Sequence, residues 1–118
     1  MQDFRKLDVW QLGRRLTKSV YKTTTAFPRE ETFGLRAQMR RAAISICANI
    51  AEGCGRSGDP DFARFLSIAM GSGSELECEV VLALDLEFMD KSDHDALIAT
   101  VSEVKRMLAG LMKKVRQR

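Results

Sequence analysis

Apolar residues recur in alternating steps of three and four through most of this 118-residue chain. That spacing keeps one face of an α-helix apolar turn after turn, whereas a half-buried strand needs a period of two. Val9, Gly13, Leu16, Val20, Thr23 and Phe27 carry the first run, and Pro28 breaks it. Leu35, Met39, Ala42, Ala43, Ile46 and Ile50 carry the second, which Gly53 is placed to end as a left-handed cap. Phe62, Leu66, Ala69, Gly73, Leu76, Val80 and Ala83 carry the third, after Asp59-Pro60. Leu97, Val101, Val104, Leu108, Leu111 and Val115 carry the fourth.

The spacing predicts helices over roughly 8–25, 32–52, 60–88 and 93–116. Asp8 with Gln11, and Ser92 with Asp95, have the spacing of capping boxes. The stretch Gly71-Ser72-Gly73-Ser74 looks like a linker, yet the apolar steps stay in phase across it, so a continuous helix is expected. Ser67, Gly71, Ser74 and Cys78 add a strip of small residues to that helix. Short links between long helices force antiparallel neighbours, so residues 1–118 read as one all-α, up-down-up-down four-helix bundle. The 3.5-residue repeat favours left-handed packing.

Composition narrows the function. No apolar run approaches the ~20 residues of a membrane span, and the first residues lack a signal-peptide core. Three cysteines (Cys47, Cys54, Cys78) form no CxxC pair, so neither a disulfide framework nor a zinc site is expected, and a reducing cytoplasm is the simplest home. Gly53-Cys54-Gly55-Arg56-Ser57-Gly58 matches GxGxxG, but a helix precedes it where a dinucleotide fold needs a strand. His94 is the single histidine, expected in an exposed first turn, and no Glu-x-x-His pair exists for a di-iron centre. No nucleophile has a base and an orienting partner in view, so no enzyme, metal or cofactor is expected.

Charge is segregated. The formal net charge is +3, but residues 75–103 hold nine acids against Lys91 alone, and residues 104–118 hold six bases and no acid. Arg14, Lys18 and Lys22 share one helical stripe; Arg36 and Arg40 form a one-turn pair, with Arg41 adjacent. With the tail (Lys113, Lys114, Arg116, Arg118) these are candidate phosphate contacts for RNA or DNA. On the second helix, Ile44, Cys47 and Ala51 widen the apolar arc to roughly 200°, more than one bundle seam uses. With Trp10 and Tyr21 they are candidate subunit contacts. Ser45, Asn49 and Glu52 continue a polar stripe with Gln38 and Arg41, read as a structural network or an interaction face, the structural role favoured.

Asp3-Phe4-Arg5-Lys6-Leu7, Val9-Trp10-Gln11, Phe33-Gly34-Leu35, Gln38-Met39-Arg40-Arg41-Ala42 and, most specifically, Asn49-Ile50-Ala51-Glu52-Gly53 are the residues that carry a family likeness. With Gly73-Ser74 and Glu75-Leu76-Glu77 they resemble the 23S rRNA-intervening-sequence proteins over nearly the whole chain. The resemblance implies a small cytoplasmic bacterial four-helix bundle, assembled into a homopentameric ring and without established enzymatic activity. Accessory proteins of diversity-generating retroelements are similar and are taken to bind nucleic acid and a reverse transcriptase. Their basic ring surface implies Arg14, Lys18, Arg36, Arg40 and Arg41 as counterparts here, with a homo-oligomer, RNA or DNA, and a reverse transcriptase as the expected partners.

Overall fold

A computed structural model describes residues 2–118, and the described residues contain four long helices and no strand. The long helices are α1 (Asp8–Thr24), α2 (Leu35–Cys54), α3 (Asp59–Asp85) and α4 (Lys91–Arg116); single 3-10 turns span Phe4–Lys6 and Arg29–Glu31. Each helix packs on its neighbours in chain order, and α4 returns to α1, which closes the bundle. The seams read from the spacing form its core: Leu16, Val20, Met39, Ile46, Ile50, Leu66, Leu76, Val80, Val101, Val104 and Leu108 are fully buried. α3 runs unbroken through Gly71-Ser72-Gly73-Ser74.

The helix ends differ from expectation, each for a local reason. Leu7, with no side-chain cap, precedes α1; Asp3 instead caps the 3-10 turn, and Gln11 Nε2 donates to the Arg5 carbonyl at 2.9 Å. α2 starts at Leu35 rather than 32, because the Glu31 carboxylate accepts from the Leu35 N–H at 2.8 Å after a 3-10 turn. Gly53 is no left-handed cap: it lies inside α2, and a Cβ there would meet Phe62 Cδ1 at 2.9 Å and Phe65 Cβ at 3.0 Å. The glycine is needed for close helix packing, and Gly55 follows as a right-handed cap. Gly58, not Asp59, caps α3.

α3 stops at Asp85, three residues early, because Glu87 turns left-handed (φ 63). The Phe88 N–H donates to the Ala83 carbonyl and that of Glu87 to Leu84, the paired bonds of a Schellman end. α4 begins at Lys91, capped by Asp90, which accepts from the Asp93 N–H at 2.8 Å. Asp95 therefore closes no capping box and instead pairs with Lys91 at 2.7 Å.

Candidate functional site

The six predicted basic residues separate into three environments. Arg14, Lys18 and Lys22 are exposed on one stripe of α1, and among the described residues none pairs with a carboxylate. Arg14 lies over the Trp10 ring, 5.8 Å from its centroid. Arg36 and Arg40 are half-buried and committed to the chain itself. Arg36 Nη2 donates to the Phe27 carbonyl at 2.6 Å, while its buried Nε has no partner. Arg40 donates through Nε to Thr24 Oγ1 at 2.9 Å and through Nη2 to the Tyr21 carbonyl at 3.2 Å. It also covers the Tyr21 ring at 4.4 Å.

Arg40 thus satisfies a carbonyl in the last turn of α1, the place where the helix dipole attracts cations, and Arg36 one in the link just beyond it. They hold α2 to α1 and have little left for a phosphate. Arg41 is exposed but faces α3, where its charge acts on Glu79. Of the six, Arg14, Lys18 and Lys22 remain as a free stripe, with exposed Arg15 beside it. In the tail, Lys113, Lys114 and Arg116 are exposed without an ion pair among the described residues, while Arg118 pairs with Asp59.

Beside that stripe runs a groove between α1 and α2 of about 490 Å³. Phe4, Trp10, Ile44, Cys47, Ala48 and Ala51 line it, with Arg14 and Lys18 at its rim. Trp10, Ile44, Cys47 and Ala51, four of the five candidate subunit contacts, therefore meet on one surface. Tyr21, the fifth, lies outside the lining, beneath Arg40. Ile44 is 46% exposed although its helix is otherwise well packed. The Cys47 thiol is pushed up by burial, partly offset by a hydrogen bond with Thr17, which keeps it in its unreactive form.

The polar stripe of α2 faces α3. Ser45 and Ser72 hydroxyls meet at 2.8 Å, and Asn49 Nδ2 donates to the Ser45 carbonyl at 2.8 Å and its hydroxyl at 3.0 Å. Glu52 pairs with Arg56 at 3.3 Å, and Arg56 reaches Asp61 at 3.7 Å. Of the three, Ser45 alone bonds across to α3, Asn49 braces Ser45 from within α2, and Glu52 ties to the α2–α3 link through Arg56. Glu79, which the charge pattern groups with Glu75 and Glu77 as a solvated or interface-facing cluster, is instead buried in α3 with Oε1 unpartnered. Its position beside Val80, three after Leu76, is the same seam-edge signal that singled out Asn49.

No catalytic arrangement forms among these side chains. His94 is mostly buried rather than exposed, with 14% of its side chain accessible, and Nδ1 lies 2.9 Å from Asp95 Oδ1. Among the described residues no three His, Cys, Asp or Glu side chains cluster as metal ligands. The glycine loop at 53–58 borders a cavity of about 340 Å³ at one end of the bundle, where Arg118 pairs with Asp59 at 3.3 Å. No helix of the described chain is long and apolar enough to cross a membrane.

Comparison with known proteins agrees with this fold. A crystal structure of a protein with unknown function from the S23 ribosomal protein family, from Bacteroides thetaiotaomicron VPI-5482, superposes with a TM-score of 0.80. The match covers 89% of this chain and 98% of that one at 22% identity, so the likeness concerns the fold alone. No curated protein matches. The family model for the 23S rRNA-intervening sequence protein matches residues 5–110, and the chain belongs to that family.

Proposed function

We propose that the protein is a non-catalytic, self-associating helical bundle of the bacterial cytoplasm that binds RNA or DNA through the α1 stripe. The observation that carries this reading is the stripe itself: Arg14, Lys18 and Lys22, one turn apart, exposed and without acidic partners. Binding works by phosphate neutralisation and counterion release, with little reading of base edges. Repetition of the stripe in a homo-oligomer, a pentamer by family likeness, multiplies a modest single-copy affinity. The apolar groove favours a second reading, a protein-interaction scaffold with no nucleic-acid ligand.

Titration of single-stranded RNA and DNA oligonucleotides at several salt concentrations separates the two. Affinity is expected to fall steeply with salt, and Arg14→Ala/Lys18→Ala/Lys22→Ala should reduce the logarithmic slope by about 2. Failure to bind at low salt leaves the scaffold reading alone. An unchanged slope in the triple variant moves the interface away from α1.

A further inference from the structure

We propose that the groove between α1 and α2 receives the outward face of α3 from a second copy of this chain, in a head-to-tail contact. The inference rests on the self-association proposed above and adds which two surfaces meet.

Among the described residues, two surfaces expose apolar side chains that find no partner within the chain. One is the groove, where Trp10, Ile44, Ala48 and Ala51 form the lining. The other is the outer face of α3, where Ile68 and Leu82 are 41% and 46% exposed. At 100° per residue, Ile68, Gly71, Glu75, Cys78 and Leu82 fall within roughly 80° of arc, a single ridge about 21 Å long. The groove side of α2, from Ile44 to Ala51, is about 10 Å long, so the groove takes roughly half of the ridge.

Shape and charge both match the two. A Cβ built at Gly71 would meet nothing within 4 Å, so no packing inside this chain explains a glycine in mid-helix. An interior glycine costs ~1 kcal/mol relative to alanine, and it allows the backbone of a neighbour to approach closely. Arg14 and Lys18 rim the groove, whereas Glu75 and Asp85 flank the ridge. Among the described residues, none of these four forms an ion pair within its own chain. Opposite charges on separate faces oppose groove-to-groove and ridge-to-ridge pairing and favour the mixed contact. Because each copy keeps one groove and one ridge, such a contact repeats until a ring closes or a filament runs on. Lys22, at the outer edge of the stripe, stays clear of the groove and remains open to a polyanion. With Arg14 and Lys18 engaged by the neighbour's acids, the salt slope lost in the triple variant falls from about 2 to about 0.7.

The test is complementation between Ile44→Glu, which spoils the groove, and Leu82→Glu, which spoils the ridge. Both sites are exposed, so each variant is expected to keep its helices, which circular dichroism checks. Solution mass should show an oligomer for the wild type and single chains for each variant. An equimolar mixture should form a two-chain species and nothing larger, since only one intact groove and one intact ridge can meet. Variants that stay single when mixed, or that assemble alone like the wild type, overturn the pairing while leaving self-association standing. A wild type that is single at every concentration overturns both.

Discussion

Glu79 is the one charged side chain among the described residues that the fold buries. Burial pushes its carboxyl up to about 7, the charge and hydrogen bond of Glu75 one turn away push in the same direction, and Arg41 on α2 pulls it down. The protonated form can donate to Glu75, so the pair holds a proton that an isolated glutamate would release. In the unfolded chain the group returns towards its ordinary 4.5, and the folded state then binds the proton more tightly. Its contribution to stability is therefore complete below about 4.5, falls as pH rises through about 7, and is level above that. Glu79→Gln keeps the shape and removes the ionisation. Urea midpoints at pH 5 and pH 8 should show the wild type losing stability relative to the variant, by on the order of 2 kcal/mol. Equal losses in the two proteins would contradict a retained proton at Glu79.

Glycine shows how an element can be read from spacing and yet be misread in detail. Gly53, Gly71 and Gly73 all lie inside helices, but their surroundings differ. A methyl group at Gly53 would strike Phe62 and Phe65, one at Gly73 would come within 3.1 Å of the Lys105 stem, and one at Gly71 meets open space. Gly53→Ala should therefore lower stability by roughly 1–3 kcal/mol through overpacking. Gly71→Ala should raise it by up to ~1 kcal/mol in the single chain. Thermal melts of the two variants check both signs, and a stabilised Gly53→Ala would contradict the close α2–α3 approach.

The apolar seams were legible because a single period repeats for six or seven positions in each helix. The ends were not, since they depend on one side chain reaching a particular N–H, as Glu31 reaches Leu35 and Asp90 reaches Asp93. For the same reason sequence spacing grouped Arg36 and Arg40 with the free cations. Their spacing is that of an exposed pair, but the carbonyls they bond, Tyr21 in the last turn of α1 and Phe27 in the link after it, are brought alongside only by folding. The groove was half legible. A wide apolar arc on α2 announced a surface needing cover, and the strip of Ser67, Gly71, Ser74 and Cys78 on α3 announced a close approach, but spacing alone did not say what meets either.

The whole bundle measures 45 × 23 × 20 Å, and its charge is sorted along the long axis. The contacts Thr17 with Ala43, Ser45 with Ser72 and Glu77 with Lys105 mark a common mid-level. Residues 2–16, 45–71 and 104–118 lie on one side of it and hold twelve bases against five acids. Residues 17–44 and 72–103 lie on the other and hold seven bases against eleven acids. With a screening length of about 8 Å at physiological salt, the two ends act as separate electrical objects, so the formal +3 describes neither. Retention on a phosphate or heparin matrix should then follow the basic end and not the total. Lys113→Gln/Lys114→Gln/Arg116→Gln, which removes three charges there, should elute at clearly lower salt than the wild type. Asp85→Asn/Glu87→Gln/Asp90→Ser adds the same three units to the total at the far end and should elute close to the wild type. If the second variant instead gains as much retention as the first loses, net charge governs the interaction and the axial sorting has no part in it.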